Sequence, residues 1–146
     1  MCFIIVDVDV AARVLLTPGD PDFGVLNKSL FGRKRPNPIL AYGGHLSAEY
    51  FKSHALKRTL VQLDRAGRAH RFPDAAVDAA AQQIAESGIA ESNDHHVLGL
   101  ARVSGARVLC SADNDLRRDF RKRSLLNPKG KLYSRAAHSR ILSHNC

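Results

Sequence analysis

Acidic residues recur in this sequence at positions where a parallel α/β protein would gather them. Asp7 and Asp9 follow the apolar run CFIIV, and Asp113 follows a second, shorter apolar run. Glu49 and Asp94 fall in the opening turns of two predicted helices. Because the carboxyl ends of parallel strands meet at one edge of a sheet, we expect these carboxylates to converge there.

Such a convergence of carboxylates is costly without a cation. Two unit charges 4 Å apart repel by about 4 kcal/mol at an effective dielectric near 20. Hard oxygen ligands suit Mg²⁺ or Mn²⁺, which also accept phosphate oxygens from a substrate. Such an ion can polarise a phosphate, generate hydroxide and neutralise a leaving oxygen. The pattern therefore predicts a Mg²⁺ or Mn²⁺ site with phosphate chemistry.

Each of these residues also has a purely structural interpretation. The helix dipole favours acidic residues in a first turn, so Glu49 and Asp94 also fit helix caps. Turn aspartates such as Asp113 are common. Asp7 is harder to explain, since an aspartate next to an apolar central strand loses hydration. The set is therefore more informative than any single member.

The segments between the acidic residues predict the elements that position them. Strands are predicted over 2–10, 38–42, 69–72, 107–110 and 131–133. Helices are predicted over 46–66, 74–87, 94–104, 115–123 and 136–142. Alternating strands and helices predict an α/β fold of three layers, α/β/α, with a central, mostly parallel sheet of four to five strands.

Length and composition are those of one folded domain. The 146 residues, 45% hydrophobic and 25% charged, suit a single unit spanning 1–146. No apolar stretch is long enough for a membrane span, and the first apolar run has no basic leader, so we expect a cytoplasmic protein without membrane contact. The three cysteines form no Cys-x-x-Cys pair, which predicts reduced thiols. We expect the seven histidines at surface or capping positions.

An excess of basic residues predicts a polyanionic partner. There are 22 Lys and Arg against 14 Asp and Glu, a formal charge of +8, and each phosphate neutralised by a protein releases counterions. The sequence has few aromatic residues, which favours recognition of RNA by shape and phosphates rather than by bases. A solvated helix face remains an alternative for 117–123. The candidate RNA-binding residues are Arg33, Lys34, Arg35, Arg117, Arg118, Arg121, Lys122 and Arg123.

The order of these motifs resembles that of PIN-domain ribonucleases, of the VapC-like toxin type. The stretches IIVDVDV, HLSAEYF and NDHHVLGLARVSGARVLCSADNDL carry the acidic positions, and NPKGKLY is similar to the last strand of that fold. The resemblance implies four catalytic metal ligands, Asp7, Glu49, Asp94 and Asp113. It further implies Asp115 as an additional candidate ligand and Asp9 and Ser111 as supporting residues.

The resemblance also implies an activity and partners. The activity would be Mg²⁺- or Mn²⁺-dependent endoribonuclease cleavage, with water attacking in line to leave a 5′-phosphate. The partners would be RNA, an antitoxin protein and, by analogy, a second copy of the chain. Two features depart from the family pattern: Asp9 stands where Asn or Ser is usual, and segment 17–38 matches no known motif.

Two other functions also fit parts of the sequence. Asp7-Val8-Asp9-Val10 matches the Asp-x-Asp signature of haloacid-dehalogenase-type phosphatases, in which the first aspartate is a nucleophile. Phosphatases of that type use a lysine ahead of the last acidic motif to hold the phosphate, and no lysine occurs between Lys57 and Asp113. The second alternative to a ribonuclease is a catalytically inactive RNA-binding module.

Overall fold

Five parallel strands form the central sheet of the computed structural model, which describes residues 2–33 and 37–142. The strands are β1 (Phe3–Val6), β2 (Ile39–Tyr42), β3 (Ala69–Arg71), β4 (Val108–Cys110) and β5 (Lys131–Leu132). Their order across the sheet is β3-β2-β1-β4-β5, and every neighbouring pair is parallel. This confirms the predicted α/β class with a central parallel sheet of four to five strands.

Helices cover both faces of the sheet, which makes the three layers of an α/β/α fold. In the described ranges the helices are α1 (Val8–Leu15), α2 (Gly24–Phe31), α3 (His45–Phe51), α4 (His54–Arg65), α5 (Asp74–Ser87), α6 (His95–Ser104), α7 (Asn114–Phe120) and a terminal 3₁₀ helix (Ala136–Leu142). Helix α1 packs with α2, α3 and α4, whereas α5 and α6 form a tight pair and α6 lies against β1 and β2.

The central strands are apolar because both of their faces are covered. Ile4, Ile5 and Val6 of β1 and all three residues of β4 are fully buried. A parallel strand buried on both faces is a continuous hydrophobic run rather than an alternating one. The sequence run that predicted a central strand therefore has this physical origin.

The strand order reverses between β1 and β4. The chain passes from β1 outward to β2 and β3, and then crosses back to place β4 on the other side of β1. In such sheets the crevice outside the carboxyl ends of the two strands is the usual ligand site. Val6 pairs with Cys110 in register, and the amide of Asp7 donates to the Cys110 carbonyl at 2.9 Å. The two strands thus end side by side.

The first strand is shorter than the sequence predicts. The expectation of a strand through residue 10 is wrong, since β1 ends at Val6 and α1 begins at Val8. The alternation Val8-Asp9-Val10 has the period of a strand, but the buried positions Val10, Ala11, Val14 and Leu15 follow a helical period. Packing of that face decides in favour of the helix.

Two glycines allow the close approaches on which the later helices depend. Gly44 precedes α3 with φ of 59°, and its amide donates to Oδ1 of Asp74 at 2.8 Å. Gly99 lies where α6 crosses α5, and a Cβ there would stand 2.7 Å from the amide nitrogen of Ala81. The Gly44 contact positions α3, the helix that carries Glu49. The Gly99 contact positions α6, the helix that Asp94 directly precedes.

The cysteines differ from the expectation of three reduced thiols. Cys110 is a free, buried thiol, but Cys2 is disulfide-bonded, so that expectation is wrong for Cys2. Along the described ranges, none of the helices combines the length and apolar character that crossing a membrane requires.

Candidate functional site

Asp7 stands at the end of β1 and begins α1. Its side chain accepts from the Val8 amide at 2.8 Å and from the Ser111 hydroxyl at 3.0 Å. The residue is only 6% exposed. Burial, together with the charges of Asp9 and Asp94, raises the pKa of Asp7 from 3.8 to about 7, although the Ser111 and Val8 hydrogen bonds oppose this rise. Asp7 is therefore a carboxylate short of compensating positive charge.

Asp9 and Asp113 bind the loop that follows β4. Asp9, in the first turn of α1, accepts the amide of Ala112 at 3.0 Å. Asp113 caps α7 by accepting the amides of Asp115 and Leu116 at 2.9 and 3.2 Å. Ser111 completes the connection: its hydroxyl accepts the Asp113 amide at 3.1 Å while it donates to Asp7. Ser111 therefore connects Asp7 with Asp113, and its supporting role in the site stays a prediction.

Asp94 immediately precedes α6 but does not cap it. Its side chain accepts no hydrogen bond from the first turn of the helix. Instead, its carboxyl group lies within hydrogen-bonding reach of the carboxyl group of Asp113. Burial, this contact and the charges of Asp113, Glu49 and Asp9 raise the pKa of Asp94 from 3.8 to about 6. Asp94 thus occupies the N-cap position of α6, as the capping interpretation expects, but its side chain does not cap the helix.

Glu49 points from α3 toward α6, where it meets a histidine. Nε2 of His96 lies 2.8 Å from Oε1 of Glu49, and both side chains are largely buried. Neither atom forms a hydrogen bond of standard geometry. The ring of His45 packs edge-on against that of His96, with 4.9 Å between centroids. Burial lowers the pKa of His96 below its usual value, although Glu49 opposes that effect. The expectation of surface or capping histidines is wrong for His96.

The structure therefore brings five predicted acidic residues to the carboxyl ends of β1 and β4. We call them the carboxylate cluster: Asp7, Asp9, Glu49, Asp94 and Asp113. Their charges act on one another, and no lysine or arginine of residues 2–33 and 37–142 forms an ion pair with any of them. Among the described residues, Glu49 has an ion-pair partner in the imidazole of His96, whose pKa burial lowers. The cluster holds more negative charge than its surroundings compensate.

The donor atoms of the carboxylate cluster are oxygens that suit a hard divalent cation. Within the described ranges, however, no three His, Cys, Asp or Glu side chains form a ready-made metal-binding group. The donor set would suit an ion held by carboxylates of the cluster, with water molecules in its remaining positions. The residues present are compatible with such an ion, since its charge would offset the burial and the mutual repulsion that raise the pKa of Asp7 and of Asp94.

Two residues that the sequence did not single out position the cluster. Tyr50 of α3 is fully buried and donates its hydroxyl to the carbonyl of Val6, the residue before Asp7. Asp119 of α7, also fully buried, accepts the amides of Glu91 and Ser92 at 3.0 and 2.9 Å. Burial alone would raise the pKa of Asp119, but these bonds and the Lys122 ammonium hold it below its usual value.

The predicted basic residues divide into paired and unpaired groups. Arg118 forms ion pairs with Glu91 at 2.9 Å and with Asp115, and Lys122 pairs with Asp119 at 3.2 Å. The Asp115 side chain is thus engaged by Arg118 rather than by the cluster. Lys34 and Arg35 lie outside the described residues. Within the described ranges, the predicted RNA-binding residues that form no ion pair are Arg33, Arg117, Arg121 and Arg123.

Comparison with known proteins adds no family assignment. No protein-family model matches the chain, and no curated protein shows significant similarity to it. The similarity to PIN-domain ribonucleases therefore stays a prediction from the motifs, and the functional argument depends on the site itself.

Proposed function

We propose that this protein is a Mg²⁺- or Mn²⁺-dependent endoribonuclease that uses the carboxylate cluster to hydrolyse RNA phosphodiester bonds. The observation that carries the proposal is the presence of five carboxylates near the β1–β4 switch point, none of which pairs with a lysine or arginine of residues 2–33 and 37–142. When acidic residues lie in a crevice and their pKa values are strongly raised, they are candidates for a functional site.

A divalent ion bound there would polarise the scissile phosphate, lower the pKa of a water molecule and neutralise the leaving oxygen. The residues of the site would bind the ion and position the loop after β4. Asp7 and Asp94, with Glu49 and Asp113, would hold the ion and orient its water molecules. Ser111 and Asp9 would keep the loop after β4 in place, because their hydrogen bonds connect it to β1 and α1.

RNA as the substrate is supported by charge. The chain carries a formal charge of +8, and unpaired arginines on and after α7 follow directly from the acidic site in sequence. Backbone phosphates would bind to these arginines while the scissile phosphate lies at the cluster. Arg118 and Lys122 contribute less, since their charges are used within the protein. A toxin role, an antitoxin partner and a homodimer stay predictions.

The experiment is RNA cleavage by the purified chain, with Mg²⁺ or Mn²⁺ and with EDTA. We expect cleavage that requires the metal and is abolished by Asp94→Asn. Glu86→Gln on α5 is the matched control, because Glu86 is exposed and its one hydrogen bond within the described ranges is with Gln82. Metal-dependent phosphomonoester hydrolysis through Asp7 with intact RNA would instead favour the phosphatase. RNA binding without cleavage, unchanged by Asp7→Asn, would favour the binding module.

A further inference from the structure

Basic residues collect around a histidine next to β5, the edge strand beside β4. Burial lowers the pKa of His138 below its usual value. Three positive charges add to that effect, those of Arg135, Arg117 and Arg140. Arg117 is half-buried on α7, Arg135 is exposed just before the terminal 3₁₀ helix, and neither forms an ion pair with any described residue.

The register of the sheet places these basic residues beside the carboxylate cluster. Tyr133, directly after β5, donates its amide to the carbonyl of Leu109 in β4 at 2.9 Å. The same register places Ser134 level with Ser111. Ser111 in turn is level with Asp7, to which its hydroxyl donates at 3.0 Å. Neighbouring strands are about 4.8 Å apart, so the backbones at Asp7 and Ser134 are roughly 10 Å apart.

The two arginines and the histidine are held by the segments that follow β4 and β5. The amide of Arg117 donates to the carbonyl of Asp113 at 2.9 Å, so Arg117 lies one turn into α7. Arg135 follows Ser134, whose amide donates to Nδ1 of His138 at 3.0 Å. Because Nδ1 accepts this bond, the neutral imidazole carries its hydrogen on Nε2 and can donate it to a ligand.

Phosphate oxygens suit these donors. A guanidinium group presents its N–H donors in one plane and stays charged in a protein. Hydrogen bonds from such charged donors to phosphate are roughly twice as strong as those between neutral groups. The aspartates of α7 are engaged elsewhere, since Asp115 pairs with Arg118 and Asp119 pairs with Lys122. A ligand phosphate would therefore supply the negative charge that Arg117 and Arg135 lack within the described ranges.

We propose that Arg117, Arg135 and His138 bind an RNA phosphate adjacent to the scissile one, so that the strand runs from the carboxylate cluster toward β5. The inference rests on the proposed function for RNA as the polyanion. It adds the path of the strand and two contact residues, Arg135 and His138, that the sequence did not single out. These residues bind away from the reacting bond, so they contribute to affinity and position more than to the chemical step.

The test is binding of a fluorescein-labelled single-stranded oligoribonucleotide to the full chain in EDTA, measured by fluorescence anisotropy over a salt series. We expect Arg117→Gln and Arg135→Gln each to weaken binding on the order of tenfold. Each should also make the slope of log K against log salt shallower by about 0.7, the value for one phosphate contact on a single strand. Arg117→Lys keeps the charge and should retain the wild-type slope.

Arg58→Gln on α4 is the matched control. Arg58 is exposed, forms no ion pair with any described residue and carries the same charge. Its helix packs against β3, at the opposite edge of the sheet from β5. We expect Arg58→Gln to change RNA binding less than about twofold, because net charge alone acts weakly at a distance in salt.

The outcomes separate this inference from the proposed function. Equal effects of Arg135→Gln and Arg58→Gln, or a wild type that does not bind the RNA, would overturn the phosphate site and leave cleavage to be judged by its own assay. Loss of binding in Arg117→Gln and Arg135→Gln in a chain that cuts no RNA would support the phosphate site and overturn the nuclease. In a chain that cuts RNA, both variants should raise KM more than they lower kcat; a fall in kcat alone would contradict a binding role.

Discussion

Replacing Asp7 by asparagine should stabilise the metal-free protein. The pKa of Asp7 rises from 3.8 to about 7 in the folded state, mainly because the carboxylate is buried. Each tenfold change in proton affinity corresponds to about 1.4 kcal/mol, so ionised Asp7 lowers the unfolding free energy at pH 8 by at most about 4 kcal/mol. Asparagine is isosteric, can accept from the Val8 amide and can donate to Ser111, so it removes the charge and keeps the contacts.

The pH dependence follows from the same numbers. Between pH 3.8 and about 7 the folded protein binds the Asp7 proton more tightly than the unfolded chain does. This contribution to the unfolding free energy is fully present below pH 3.8 and is lost as the pH rises through 7. At pH 5.5 the stabilising effect of Asp7→Asn should therefore be roughly half of its value at pH 8, about 2 kcal/mol.

The assay is urea denaturation in EDTA at pH 5.5 and pH 8. Asp78→Asn on α5 is the control, since Asp78 is exposed and has no ion pair with any described residue. A second series adds Mn²⁺, which at a hundred times its dissociation constant should stabilise the wild type by about 2.7 kcal/mol. The same addition should stabilise Asp7→Asn much less. A destabilised Asp7→Asn at pH 8, or a wild type of constant stability across this pH range, would refute the reasoning.

Three further variants test the elements that support the cluster. Tyr50→Phe leaves the carbonyl of Val6 without its buried donor and should lower the unfolding free energy, measured in urea, by about 1–3 kcal/mol. Asp119→Asn removes the carboxylate that accepts two backbone amides. We expect the unfolding free energy measured in urea to fall on the order of 2 kcal/mol, and Mn²⁺ binding measured by calorimetry to weaken. Gly99→Ala places a methyl group 2.7 Å from the Ala81 amide nitrogen and should lower the unfolding free energy by about 1–3 kcal/mol, seen as a lower Tm.

Each of these variants has a control that the structure provides. Tyr133→Phe removes a buried hydroxyl that has no hydrogen-bond partner among the residues the structure describes, so it should cost much less than Tyr50→Phe. Gly19→Ala meets nothing within 4 Å and should be nearly neutral. Glu91→Gln breaks the ion pair with Arg118 but leaves the backbone amide that Asp119 accepts. Equal effects within any of these pairs would count against the corresponding explanation.

The architecture could be predicted from the sequence because a parallel sheet has a strong local signal. Buried strands such as β1 and β4 are short apolar runs, and Gly88 and Gly105, both with left-handed φ, end α5 and α6 where the sequence places helix ends. The beginning of α1 was not predicted, because Val-Asp-Val alternates like a strand. Only the packing of Val14 and Leu15 against the core distinguishes the two.

The carboxylate cluster was predictable in its aspartates but not in its surroundings. Asp7 and Asp113 follow apolar strands, and topology alone places strand ends together. The contact of His96 with Glu49 joins two helices far apart in the sequence, and no spacing indicates it. Asp119 has a weak signal, since it lies between Leu116 and Phe120 on the buried side of α7. Its amide partners follow only from the fold.

The most direct test of the proposed nuclease is the chemistry of the RNA ends that it produces. The purified chain would be incubated with end-labelled RNA in Mn²⁺, and the products compared with those from Asp113→Asn and from reactions in EDTA. Water activated at the carboxylate cluster should leave 5′-phosphate and 3′-hydroxyl ends, with no products in EDTA or from the variant. Cleavage that survives EDTA, or that leaves 2′,3′-cyclic phosphate ends, would contradict metal-dependent hydrolysis at this site.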